Sequence, residues 1–109
     1  MEFTIGGVAY KARKMDTFTQ LDIVALLVES GGQSITPILK MTPENRRFVI
    51  TTCLSLVDRE IAPNKWAPIW VHGASRAATE EINDSALLQL EIANQVIGGT
   101  LANFFSVSP

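Results

Sequence analysis

The sequence predicts a mainly α protein, in which an N-terminal β-hairpin precedes three main helices in a small bundle, at the margin of the α+β class. Apolar residues alternate with polar or small ones over residues 3–13, as in half-buried strands. Three longer segments carry apolar residues at helical spacing after capping signals. The 109 residues are 47% hydrophobic, which suffices for one modest core. We therefore expect a single domain over residues 1–109, with the hairpin over 1–14 and a helical body over 15–109 that includes a tryptophan-containing loop near 61–74.

The predicted hairpin depends on Gly6 and Gly7, which separate its two apolar runs. Two successive glycines readily adopt the positive φ angles that a tight two-residue turn requires. Because an isolated hairpin is marginally stable in water, we expect this one to lie on the helices or to pair with another copy of the chain.

The first helix is predicted from about residue 17 to about residue 30. Asp16 and Thr17 offer N-cap oxygens, Thr17 and Gln20 have the spacing of a capping box, and Gly31-Gly32 is a stop signal. The apolar residues of this helix are Phe18, Leu21, Ile23, Val24, Leu26, Leu27 and Val28. So broad an apolar face indicates that the helix makes contacts on two sides.

A single helical turn is predicted over residues 35–39, and the second long helix begins at Thr42-Pro43-Glu44. Proline lacks the amide that the first helical position leaves unpaired, and the acid complements the helix dipole. The apolar spacing continues past Cys53 to Asp58-Arg59-Glu60, before a break at Ala62-Pro63. We expect the helix to end there and a structured loop to follow.

The loop carries both tryptophans and a possible brief strand at Ile69-Trp70-Val71. The last helix should run from about residue 84 to about residue 97. Gly98-Gly99 either ends this helix or is bridged at a cost of about 1 kcal/mol per glycine. The unbroken spacing of apolar residues on both sides, Ile97, Leu101 and Phe104, favours continuation.

Composition and charge exclude several functional classes. Charged residues make up 18% of the chain and the net charge is −2, so nothing attracts it generally to nucleic acid or to acidic membranes. No window approaches 18 apolar residues, and one cysteine permits no internal disulfide, so we expect a cytoplasmic protein. The apolar surplus is explained either by self-association or a protein partner, or by an ordinary monomer with an apolar surface.

No residue pattern predicts catalysis. His72 and Cys53 are each the only one of their kind, lie far apart in sequence and belong to no reactive motif. One histidine and one cysteine also fall short of a zinc site, which gathers three or four ligands. We therefore expect no catalytic, cofactor-binding or metal-binding residues. A fold that placed His72 beside Cys53 or a serine in a cleft would revive the alternative of a small enzyme.

The candidate protein-interface residues are Phe105, Phe104, Trp70, Trp66 and Leu101. Large aromatic residues concentrate both in cores and at interface hot spots, and for Trp66 and Trp70 both readings stay open. Phe104 continues the apolar stripe of the last helix and should pack internally, whereas Phe105 points elsewhere on any helix. We expect Phe105 to contact a partner.

The layout of the chain resembles the tail assembly chaperones of long-tailed bacteriophages. The similarity lies in the hairpin with a basic second strand, the capped helix near residue 17, the central apolar helix and the last helix, which closes on Asn94-Gln95-Val96-Ile97 and Asn103-Phe104-Phe105. The resemblance implies a small, mainly helical cytoplasmic protein that coats the tape-measure protein, helps to recruit the major tail protein and forms homo-oligomers. Many relatives are also made as a longer frameshifted product.

Under this resemblance, the first and last helices would form a groove or a surface between subunits, with Phe105 and Trp70 as anchors. The alternative is a small phage or bacterial regulator or inhibitor, which would bind one host protein through the same surfaces and need no tape-measure protein.

Overall fold

The computed structural model of the chain has an α+β fold, built from an antiparallel sheet and helices that pack around one cluster of buried side chains. It describes residues 1–31, 35–71, 73–74 and 76–106, and of residues 35, 36 and 102–106 the backbone only. The elements in chain order are β1 (Glu2–Ile5), β2 (Val8–Ala12), α1 (Thr17–Ser30), α2 (Ile35–Lys40), α3 (Pro43–Ser55), β3 (Val57–Ala62), β4 (Lys65–Pro68), β5 (Trp70–Val71), β6 (Arg76–Ala77), α4 (Glu80–Asn83) and α5 (Ala86–Ser106).

The prediction of a mainly α bundle is wrong. The hairpin is only half of a four-stranded antiparallel sheet with the strand order β1-β2-β3-β4, and β5 pairs with β6 in a second, two-stranded sheet. Strands β3, β4 and β5 arise from the stretch that was expected to be the end of the second helix and a loop, and β6 follows that stretch. Residues 61–74, expected to be a tryptophan-containing loop with one brief strand, instead contain the end of β3 and all of β4. Strand β5 matches the expected brief strand at residues 69–71.

Strand β3 was not predicted, because its run of charged residues is also typical of the solvent-exposed end of a helix. Helix α3 ends at Ser55, and the chain turns at once into the sheet. Asp58 and Arg59 then lie on opposite faces of the strand, where each has a partner. Arg13 donates to Asp58 over 2.7 Å and to the carbonyl of Ser55 over 2.6 Å, and Arg59 approaches Glu81 at 3.4 Å. Backbone pairing with β2 and β4 holds the strand, and the two ion pairs accommodate its charged side chains.

The first hairpin itself is confirmed. Gly6 and Gly7 have φ angles of 57° and 79° and connect β1 to β2, which pair in register from Phe3 opposite Tyr10 to the turn. The rings of Phe3 and Tyr10 stack with centroids 5.5 Å apart on the face of the sheet that meets the core. On its other side β2 pairs with β3 of the same chain. Strand β1 contacts α5, so the hairpin lies against a helix, which is one of the two expected settings.

The predicted starts of the two long helices are confirmed by their caps. The backbone amide of Thr19 donates to the Asp16 carboxylate over 3.1 Å, and the amide of Asn45 donates to the Thr42 hydroxyl over 3.2 Å. Each bond satisfies an amide that the first turn of a helix leaves without a partner. The local sequence therefore determines where α1 and α3 begin.

Helix α5 lies at the centre of the fold and packs against α1, α2, α3, α4 and β1. Its buried residues are Ile92, Ala93, Val96, Ile97 and Leu101. Leu101 was expected to be an interface residue, and this expectation needs correction because its side chain is fully buried. The helix continues through Gly98-Gly99 to Ser106, which confirms the continuation that the apolar spacing favoured and extends the helix beyond residue 97. Neither α5 nor another helix of the described ranges is long and apolar enough to cross a membrane.

The glycine pair inside α5 leads to a prediction about stability. A methyl group added at Gly98 would meet no atom within 4 Å, whereas one added at Gly99 would overlap the thioether of Met1. Alanine favours a helix over glycine by about 1 kcal/mol. Gly98→Ala should therefore raise the free energy of unfolding by about 0.5–1 kcal/mol. Gly99→Ala should gain less, because the Met1 side chain must move.

Thermal denaturation followed by circular dichroism measures this difference. The two variants are matched controls for each other, since they make the same change at adjacent exposed positions of one helix. A Gly98→Ala protein that melts at or below the temperature of the parent chain would contradict the prediction.

Candidate protein-binding surface

Helix α1 has apolar residues on opposite sides, and only one side faces the core. Ile23 and Leu27 are completely buried. Successive residues of an α-helix are rotated by about 100° about its axis. By this rotation, Ile23 and Leu27 lie on the side of α1 opposite to the row formed by Phe18, Leu21, Ala25 and Val28. The core therefore uses one apolar face of α1 and leaves the other in solvent.

The exposed row, which we call the α1 stripe, consists of Phe18, Leu21, Ala25 and Val28. Phe18 is 76% exposed, Leu21 54% and Val28 64%, and Ala25 is exposed as well. Together the three large side chains present on the order of 400 Å² of surface, which is the size of the largest apolar patch on a typical monomer, and such patches are often functional. The stripe is thus a candidate for contact with another molecule.

The spacing of the α1 stripe is that of a helix that packs against another helix. Its residues follow one another at intervals of three, four and three positions, as the a and d positions of a coiled coil do. From Phe18 to Val28 the stripe extends about 15 Å along the helix axis. A straight apolar row of this length matches about three turns of a facing helix.

The charges that α1 itself places beside the α1 stripe are both negative. Asp22 lies one turn after Phe18 and Glu29 one turn after Ala25, so both carboxylates line the same edge of the stripe, and both are exposed. Helix α1 contains no basic residue. Helix α1 thus contributes only negative charge to this edge, which favours a cationic partner, while Lys40 of α2 lines a cleft together with Glu29.

The two tryptophans lie on different parts of the sheet region. Trp66 is half-buried on β4, where the Lys11 ammonium lies 4.5 Å from the ring centroid in a cation–π contact. Trp66 also lines a shallow cleft of about 260 Å³ with Glu2 and Glu60. Trp70 is half-buried and packs against the core. Much of the surface of both tryptophans is therefore covered by contacts within the chain.

Two further interface candidates and the single histidine lie partly or wholly outside the part of the chain that the structure describes. Phe104 and Phe105 belong to the last turn of α5, and their side chains lie outside the described part of the structure. His72 is also outside the described residues. The α1 stripe contains none of the five predicted interface residues. Its signal in the sequence was the broad apolar face of the first helix.

The thiol of Cys53 is not available for chemistry in the folded protein. It is completely buried, and burial raises its pKa to about 12, so the reactive thiolate hardly forms at neutral pH.

Across the residues that the structure describes, no three His, Cys, Asp or Glu side chains group closely enough to hold a metal ion. The surface feature with the clearest capacity for interaction is therefore the α1 stripe.

Comparison of the chain with protein-family models, with curated proteins and with solved structures gives no match.

Proposed function

We propose that this chain binds another protein without chemical conversion, as a tail assembly chaperone of a long-tailed bacteriophage. In this role it holds the tape-measure protein during tail assembly and helps to recruit the major tail protein. The observation that carries the proposal is the α1 stripe, an apolar face that lies directly opposite the buried face of the same helix. The resemblance in layout supplies the identity of the client.

The physical requirements of such a chaperone agree with the stripe. A long helical client exposes apolar residues before the tail forms, and a chaperone must cover them reversibly. Small subunits that bind side by side along a repetitive client gain avidity from many weak contacts. Contacts between neighbouring copies, through surfaces other than the stripe, would add to that avidity and form the homo-oligomer that the resemblance implies.

Co-expression with the tape-measure protein encoded by the same phage tests the proposal. We expect the tape-measure protein to stay soluble and to be retained by the tagged chain, with many copies of the chain per client by light scattering. A soluble helical protein of similar length and unrelated origin serves as the negative control. An insoluble tape-measure protein, or one that passes the column unbound, would refute the chaperone assignment.

A further inference from the structure

The charge around the α1 stripe restricts what can cover it. In an antiparallel pairing of two α1 helices, the edge with Asp22 and Glu29 would face the same edge of the other copy, and four carboxylates would meet. In a parallel pairing that edge would face the opposite edge, where Thr17 and Val24 are uncharged. In neither pairing does the α1 helix of a second copy supply the two acids with a counter-charge.

We propose that the α1 stripe binds an amphipathic helix of another protein that carries lysine or arginine along one edge of its apolar face. The apolar residues of such a helix would pack between Phe18, Leu21 and Val28. Its basic residues would lie beside Asp22 and Glu29. This partner satisfies both the apolar and the electrostatic character of the surface, because opposite charges at the edge positions set the choice and orientation of helix partners.

A helix fits the α1 stripe better than an extended segment does. The backbone amides and carbonyls of α1 are bonded within the helix, so the stripe has no free row of donors and acceptors with which a strand could pair. The three-four-three spacing also matches the interlocking side chains of two helices that cross at a shallow angle. An extended client would find free backbone groups at a sheet edge such as β1 instead.

Synthetic helical peptides of about 21 residues test this assignment. The first peptide has leucine at the a and d positions and lysine at the e and g positions. The second replaces these lysines by glutamates, and the third has the composition of the first in scrambled order. Like charges at e and g keep the first two peptides monomeric. Fluorescence anisotropy with labelled peptide gives the affinity of the full chain for each.

We expect the lysine peptide to bind at least about tenfold more tightly than the glutamate peptide at low salt, and the difference to shrink as salt screens the charges. The scrambled peptide should bind weakly at all salt concentrations. Leu21→Gln should weaken binding of the lysine peptide at least about tenfold, because it places an amide at the centre of the apolar row.

Two further variants separate the apolar and the electrostatic contributions. Leu87→Gln, at a leucine that is 63% exposed on α5, is the matched control and should leave the affinity unchanged. The double variant Asp22→Asn, Glu29→Gln should still bind the lysine peptide but discriminate less than about threefold between the lysine and glutamate peptides. Circular dichroism verifies that each variant keeps the melting temperature of the parent chain, as expected for changes at exposed positions.

Four outcomes would overturn the assignment. They are equal affinity for the lysine and glutamate peptides, equal affinity for the scrambled peptide, full affinity of the Leu21→Gln variant, or absence of binding. Sedimentation provides a fifth test, because a dimer that Leu21→Gln dissociates would show that a second copy occupies the stripe.

This partner assignment rests on one part of the proposed function, namely that the chain acts by binding another protein. If the lysine peptide binds as expected while the tape-measure protein is not retained, the chaperone role fails and the assignment of the stripe stands. If the tape-measure protein is retained equally by the parent chain and the Leu21→Gln variant, the chaperone role stands and the assignment of the stripe fails.

Discussion

Replacement of Leu101 by alanine is expected to lower the free energy of unfolding by about 2–5 kcal/mol. The side chain is fully buried on α5, the helix that packs against the other four helices and β1. Its truncation removes apolar contacts and leaves a cavity that the surrounding helices fill only in part. Urea or thermal denaturation measures the loss, and at this size the midpoint should fall by many degrees.

Leu87→Ala is the matched control for Leu101→Ala, because it makes the same change on the same helix at a leucine that is 63% exposed. Its effect should stay within about 0.5 kcal/mol. Leu101→Met conserves most of the volume and should cost less than about 1.5 kcal/mol, so it stays folded if the alanine variant does not. An unchanged stability of Leu101→Ala together with weakened partner binding would restore Leu101 as an interface residue.

The stability of the protein is expected to fall as the pH rises above 9. In the unfolded chain the Cys53 thiol ionises with its ordinary pKa of 9.0, whereas burial raises the pKa in the folded protein to about 12. The folded state therefore keeps its proton in a range where the unfolded state releases it, and deprotonation favours unfolding. The stabilisation is complete below pH 9 and is lost progressively up to pH 12.

Each pH unit within this range should cost about 1.4 kcal/mol, so that the loss reaches about 2 kcal/mol near pH 10.5. Tyr10 acts in the same direction above its ordinary pKa of 10.0, because burial raises the pKa of its phenol. Urea denaturation at a series of pH values measures the slope. Cys53→Ala should remove most of the slope between pH 9 and 10, and a variant that keeps the parent slope there would contradict the assignment to Cys53.

The interface candidates show what helical spacing alone can and cannot distinguish. Leu87, Ile97 and Leu101 follow one apolar pattern along the last helix, but the structure exposes the first and buries the other two. The same holds for α1: its broad apolar face predicted contacts on two sides, and the structure buries one side in the core and leaves the other exposed. Which side meets the core depends on where the other elements lie, and a periodic pattern carries no information about that.

The sequence pattern did not reveal strand β3 for a related reason. Its residues Asp58 and Arg59 break the apolar alternation that identifies a half-buried strand. They are accommodated because Arg13 comes from the end of the first hairpin and Glu81 from α4, both distant in sequence. The turn after β3 did carry a signal, since Asn64 adopts a positive φ of 60°, as asparagine does in tight hairpins.

The local features of this protein follow from short stretches of its sequence. Asp16 and Thr42 set the starts of α1 and α3, and Gly6-Gly7 set the first hairpin, because capping bonds and turn angles depend on residues within about four positions. The four-stranded sheet, the burial of Leu101 and the exposure of the α1 stripe arise instead from tertiary contacts. These features depend on packing and ion pairs between segments far apart in the chain, whose free energies no local pattern records.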